Sequence, residues 1–122
     1  MNLTNEQERI QEAASKIARE ELAPRAAAVD RDLAFPVEGL AKLAEADLLG
    51  LTVPKALGGG GADALSFVLA TEAIAQACAS TALVFLTSSG TTTRLSRLLT
   101  TGAIGESWTG YPKKPAAVSQ WF

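Results

Sequence analysis

Apolar side chains recur every three to four residues along most of this chain, and that period belongs to amphipathic helices. Ile10, Ala14, Ile17 and Ala18 share one helical face, while Glu6, Arg9, Lys16 and Glu20 occupy the others. Thr4 and Gln7 set the start of this helix as a capping box, in which each side chain satisfies an amide left free at the helix end. Pro24 removes a backbone donor, so the helix is expected to bend or end there, with residues 25–29 continuing beyond a kink. FPVEGLAKLAEADLLG (35–50) reads as a second helix. Pro36 suits its first turn, Val37, Leu40, Leu43, Ala44 and Leu48 form its buried face, and Gly50 stops it. Asp63 is a good N-cap for a third helix with Leu65, Val68, Leu69, Ala73 and Ile74 as its apolar face. CAST (78–81) interrupts that helix, and Ser80 is expected to cap a fourth, running from Thr81 through Leu86. The expected fold class is all-α: a small up-and-down bundle of four helices, packed antiparallel or nearly so.

Between the second and third helices lies LLGLTVPKALGGGGA (48–62), with four consecutive glycines. Glycine clusters cradle phosphates when the right groups follow them. A P-loop needs a lysine and a hydroxyl after its last glycine, but Gly61 is followed by Ala62-Asp63-Ala64. A dinucleotide fingerprint would place glycine where Asp63 stands, and no strand precedes these residues. Asp63 also puts negative charge at the helix N-terminus that a phosphate would occupy. A plain turn is the better reading, with the glycines serving backbone geometry.

Other catalytic constellations are equally thin. The chain has no histidine, which removes Ser-His-Asp and Cys-His sites along with the commonest metal ligand. Cys78 is the only cysteine; it has no disulfide partner and no nearby base, and reads as a small core residue. Glu20-Glu21 and Asp30/Asp32 flank arginines on a polar surface and read as solvated charge. A net charge of −2 gives no footprint for nucleic acid or an anionic membrane, and Arg94, Arg97, Lys113 and Lys114 are too sparse to make a patch. No apolar run reaches the roughly 20 residues of a membrane span, and the Glu-rich start lacks a signal-peptide core, so a cytoplasmic location is expected. No metal site is expected.

The chain changes character near Thr87. Residues 1–87 carry 12 acidic and 7 basic side chains, whereas residues 88–122 hold four basic groups against Glu106 alone. Both tryptophans and the only tyrosine lie in this tail. SSGTTT (88–93) weakens helix propensity, RLSRLL (94–99) has enough apolar spacing for two turns, and no period follows Thr100.

REELAPRAAAVDRDLAFPVEGLAKLAEADLLGLTVPKALGGGGAD (19–63) and LATEAIAQACASTALVF (69–85) together resemble the N-terminal helical domain of acyl-CoA dehydrogenases. The resemblance implies a flavin enzyme with two further domains, a β-domain and a helical bundle. Such an enzyme oxidises acyl-CoA thioesters to 2-enoyl-CoA by loss of an α-proton to a carboxylate and a β-hydride to FAD. It usually passes its electrons to an electron-transferring flavoprotein. The catalytic glutamate and most flavin-holding residues belong to the further domains, so no catalytic or cofactor-binding residue is expected among these 122, and no cofactor for this chain alone. By alignment, Ala82, Leu83 and Leu86 would line the fatty-acyl pocket, with Thr87 and Gly90 beside them; the plainer reading makes them core.

The tail departs from the family pattern. Residues 1–87 are expected to be the family domain and 88–122 a divergent tail. There the reading frame would have been lost near Thr87, leaving its last ~35 residues unselected and partly disordered. Two functions follow from this reading. One is a truncated acyl-CoA dehydrogenase, inactive alone, whose parent acts on acyl-CoA. The other is a non-catalytic helical interaction module. In either case an uncovered apolar face favours self-association into a homo-oligomer or aggregate.

Overall fold

A computed structural model describes residues 2–100 of the chain, with side chains through residue 91. All regular structure among the described residues is helical. It comprises α1 (Asn5–Ile17), a π-helical turn (Ala18–Leu22), α2 (Ala23–Arg31), α3 (Val37–Glu45), a 3-10 turn (Lys55–Leu57), α4 (Ala64–Ala77) and α5 (Ala79–Thr100). The backbone stays helical through Ile17, Leu22 and Ala23, so α1, the π turn and α2 form one helical run. With that run counted once there are four helices, as expected. The expectations for residues 101–122 lie outside the described residues.

The capping box forms as read. Gln7 N donates to Thr4 Oγ1 at 3.2 Å, and Thr4 N donates to Gln7 Oε1 at 2.9 Å. Pro24 does not end the helix. It sits in the first turn of α2, directly after the π turn, where a missing N–H is tolerated. Arg25 then donates from Nη1 to the Glu21 carbonyl at 2.6 Å, serving a carbonyl beside the break.

Both α2 and α3 stop through Schellman geometry without glycine. Ala34 N reaches Val29 O at 3.1 Å past Leu33 at φ 50°, and Leu48 N reaches Leu43 O at 3.0 Å past Asp47 at φ 59°. α3 therefore ends at Glu45 rather than at Gly50, and Leu48 is buried from the turn that follows. Val37, expected in the core, is half exposed because the first turn of α3 stands over an open cavity rather than another helix. Val68 is likewise exposed, sharing the outer face of α4 with Ala64 and Glu72.

The glycine segment is a compact turn. Gly58 and Gly61 take φ of 88° and 62°, in the left-handed region that glycine enters without steric cost. Gly59 lies so close to Val53 that a Cβ there would stand 2.2 Å from the Val53 carbonyl oxygen.

α1 and α4 run in the same sense, with their N-termini joined by Gln7 Nε2 donating to Asp63 Oδ2 at 2.7 Å. Asp63 caps α4 through Oδ1, which accepts from Ser66 N at 2.8 Å and Ser66 Oγ at 2.6 Å. These bonds hold the Asp63 carboxyl below its ordinary pKa of 3.8, Ser66 contributing most and Gln7 less. The unfolded chain therefore takes up the proton first as pH falls. The clasp stabilises fully above about pH 4 and its contribution fades as pH falls through that value. Gln7→Ala is expected to cost about 1–2 kcal/mol in urea unfolding at neutral pH. Asp63→Asn should lose less stability than wild type between pH 6 and pH 3.

Cys78 divides α4 from α5. Its backbone is extended (φ −152°, ψ 107°), its N–H closes α4 on Ile74 O, and its carbonyl accepts the first bond of α5 from Ala82 N. Helix α5 therefore starts at Ala79, and Ser80 lies inside it rather than capping it. The reversal stacks Phe85 on Phe67, ring centroids 5.3 Å apart, over a core that includes Leu40, Leu43 and Ile74.

Helix α5 also continues past Leu86, through SSGTTT, to Thr100. Ser89 is buried there and its Oγ donates to Leu49 O at 3.0 Å, a tertiary bond that outweighs weak local propensity. A Cβ on Gly90 would meet nothing within 4 Å. Gly90→Ala is accordingly expected to raise stability by about 0.5–1 kcal/mol in thermal unfolding.

Candidate functional site

Helix α5 has two sides. Ala82 and Phe85 face the core, and Ala82 is 6% exposed. Leu83 and Leu86 point outward at 63% and 45% exposure, on the same side as Thr87 and, one turn on, Gly90. The three residues singled out from the sequence thus separate. Ala82 is part of the packing, while Leu83 and Leu86 form an apolar stripe exposed among the described residues. Thr87 bonds back to its own helix, donating from Oγ1 to Leu83 O at 2.9 Å, so its hydroxyl is turned along the helix.

The glycine turn has no amides to offer an anion. Gly59 N donates to Pro54 O, Gly60 N to Gly50 O, Gly61 N to Val53 O and Ala62 N to Leu51 O, all within 3.2 Å. At the start of α4, the Ser66 amide meets the Asp63 carboxylate instead. A flavin diphosphate or a CoA phosphate therefore finds no cradle among the amides of this turn.

Charged side chains are used structurally. Arg25 Nε donates to Glu38 Oε2 at 2.8 Å and Arg25 Nη1 to Glu21 Oε2 at 2.9 Å, which ties α2 to α3. Its guanidinium is held more firmly protonated by the bond to Glu21 first and then by Glu38. Among the described residues no group of three or more His, Cys, Asp or Glu is placed to hold a metal ion, and no helix is long and apolar enough to cross a membrane. Cys78 is buried, and Thr81 Oγ1 donates to its Sγ at 3.2 Å.

A cavity of about 290 Å³ opens between α2, the turn after it, the start of α3 and the Cys78–Thr81 corner. Leu22, Val29, Phe35 and Pro36 form much of its wall, with Arg25, Asp32 and Glu38 at its edge. Sequence reasoning missed this cavity, because the Cys78–Thr81 corner that closes it lies far along the chain from residues 22–39, and Phe35 and Val37 read as ordinary helix-start residues.

The model of the acyl-CoA dehydrogenase N-terminal domain matches residues 4–103. The chain belongs to the acyl-CoA dehydrogenase family. Among its relatives, a probable acyl-CoA dehydrogenase of Bacillus subtilis, YngJ, is 39% identical over 83 residues, which is 68% of this chain and 22% of that protein. The cyclohex-1-ene-1-carbonyl-CoA dehydrogenase of Syntrophus aciditrophicus is 40% identical over 84 residues, 69% of this chain and 20% of that one. The acryloyl-CoA reductase (NADH) of Anaerotignum propionicum is 37% identical over 83 residues, covering 68% and 21%. The chain thus spans about a fifth of the length of the curated relatives it matches. The family match runs beyond Thr87, consistent with an α5 that continues unbroken across that position. Acyl-CoA dehydrogenases are flavin-dependent in their full-length form.

Proposed function

We propose that this chain supplies the helical wall of the fatty-acyl pocket in a flavin-dependent acyl-CoA dehydrogenase and that it carries no chemistry by itself. The observation behind this reading is the outward stripe of Leu83 and Leu86 on α5. Large aliphatic side chains held at this exposure on a rigid helix offer an acyl chain an apolar surface, and they exclude water from a reacting centre placed against them. Ala82 and Phe85 support that surface from behind by fixing α5 to α4. These relatives are named for different reactions, and each name includes a CoA thioester. An acyl-CoA is accordingly the substrate class, and oxidation across its α,β-bond the reaction. FAD is the cofactor of the complete enzyme and an electron-transferring flavoprotein its acceptor, neither of them held by the residues described here.

A chimera tests the reading. Residues 4–100 of this chain replace the matching segment of the Bacillus subtilis relative, and turnover is measured across acyl-CoA substrates of increasing length. The chimera should retain flavin and activity. Leu83→Trp and Leu86→Trp should shift the preference towards shorter chains by roughly tenfold in kcat/KM, the effect of about 1.4 kcal/mol of lost contact. An unchanged length profile in both variants would place the stripe outside the pocket.

A further inference from the structure

Helix α5 is held on its inner side by Cys78 at the corner before it and by Ala82, Phe85 and Ser89, spaced four, three and four residues apart. The first three bury apolar atoms in the core. Ser89 is as deeply buried, at 2% exposure, but carries a hydroxyl, and its Oγ donates to Leu49 O at 3.0 Å. In that turn the carbonyls on either side, Leu48 O and Gly50 O, accept from backbone amides, whereas Leu49 O accepts from this side chain. Apolar packing has no preferred direction, while a hydrogen bond is confined to a narrow range of distance and angle. Ser89 therefore fixes both the height and the rotation of α5 beyond Phe85, its last residue in the described apolar core. The next position cannot do this. SSGTTT has weak helix propensity, and a Cβ on Gly90 would meet nothing within 4 Å.

We infer that Ser89 is a positioning residue for the acyl surface: through α5 it sets where Leu86 stands, and it touches no substrate itself. This rests on the acyl-pocket reading of Leu83 and Leu86. Leu86 precedes Ser89 by three residues, which makes the two side chains neighbours on the helix surface. At 45% exposure Leu86 stands at the border between the buried stripe and the outward one. Leu83, at 63%, lies further out and is held through Ala82 and Phe85. Loss of the Ser89 hydroxyl takes that donor from Leu49 O and frees the last described turns of α5 to shift. The displacement falls on Leu86 first. Long acyl chains, which make the most contact with the wall, lose most.

Kinetics of the chimera carrying residues 4–100 test it, with turnover of a long and a short acyl-CoA compared. Ser89→Ala should lower the long-to-short ratio of kcat/KM about threefold, through a higher KM for the long substrate at unchanged kcat. In a Leu86→Ala background the same change should have little effect on the ratio, because a positioning residue acts through the one it positions. Gln7→Ala, which loosens the clasp between α1 and α4, should leave the ratio at the wild-type value. In the full 122-residue chain, Ser89→Ala should speed amide exchange in residues 86–91 and not in α1. An unchanged ratio in Ser89→Ala, beside a Leu86→Trp variant that does shift it, overturns the inference and leaves the acyl-pocket reading standing. So does an equal effect of Ser89→Ala in both backgrounds, an equal effect of Gln7→Ala, or unchanged exchange in residues 86–91. If Leu83→Trp and Leu86→Trp both leave the ratio unchanged, the acyl-pocket reading falls and this inference falls with it.

Discussion

Replacing Gly59 by alanine is expected to destabilise the chain by about 4 kcal/mol, a large share of the 5–15 kcal/mol that holds a typical domain together. The added Cβ would lie 2.2 Å from the Val53 carbonyl oxygen, 2.3 Å from Val53 Cβ and 2.6 Å from the Val53 carbonyl carbon. Two of these are backbone atoms, so no rotamer change relieves the clash. The two strands of the turn must separate, and separation breaks the bonds from Gly60 N to Gly50 O and from Gly61 N to Val53 O. Each lost bond costs about 1 kcal/mol, and overpacking a tight site adds about 1–3 kcal/mol. Urea unfolding followed by circular dichroism measures the sum. A loss under about 1 kcal/mol would mean that the turn is looser than described.

The second large effect is expected at Phe85. Phe85→Ala should cost about 3–5 kcal/mol, the usual range for emptying a fully buried aromatic site. Phe85 is 0% exposed and stacks on Phe67, so truncation opens a void between α4 and α5. Ser89→Ala, one turn further on, should cost about 1 kcal/mol through loss of its bond to Leu49 O. Together the two variants measure how firmly α5 is docked on either side of Thr87. A near-zero Phe85→Ala effect would show that α5 is not packed on α4 at all.

Much of the fold was legible where a local rule and a tertiary demand agreed. Thr4 and Gln7 announce the capping box from sequence, and Asp63 announces the start of α4, because a cap is settled by residues three apart. That Gln7 and Asp63 also bond to each other was not legible, since 56 positions separate them. Leu40, Leu43 and Ala44 followed their period into the core. Val37 did not, because periodicity shows which face a side chain shares and not whether anything covers that face. The ends of α2 and α3 were misread for a different reason. Leu33 and Asp47 adopt the left-handed conformation that a reader expects of glycine; aspartate enters it more readily than most side chains, but leucine carries no such signal.

At the far end, low helix propensity in SSGTTT suggested a stop. The burial of Ser89 against the turn after α3 shows that packing overrode it. The structure separates the three residues chosen for the candidate site. Leu83 and Leu86 came from resemblance to the family and stand outward, whereas Ala82, chosen with them, faces the core. A pattern of neighbours along a helix does not by itself assign sides when the helix start is placed two residues late. The glycine segment was read correctly as a turn, and the structure adds the reason: its amides are spent on residues 50–55.

As a pocket wall, this chain should hold no flavin on its own. Reconstitution tests that most directly: the purified 122-residue chain is incubated with excess FAD, passed through gel filtration, and its visible flavin absorbance compared with its protein concentration. Flavin should remain far below one per chain, with the helical circular dichroism unchanged. Retention of close to one flavin per chain would contradict it.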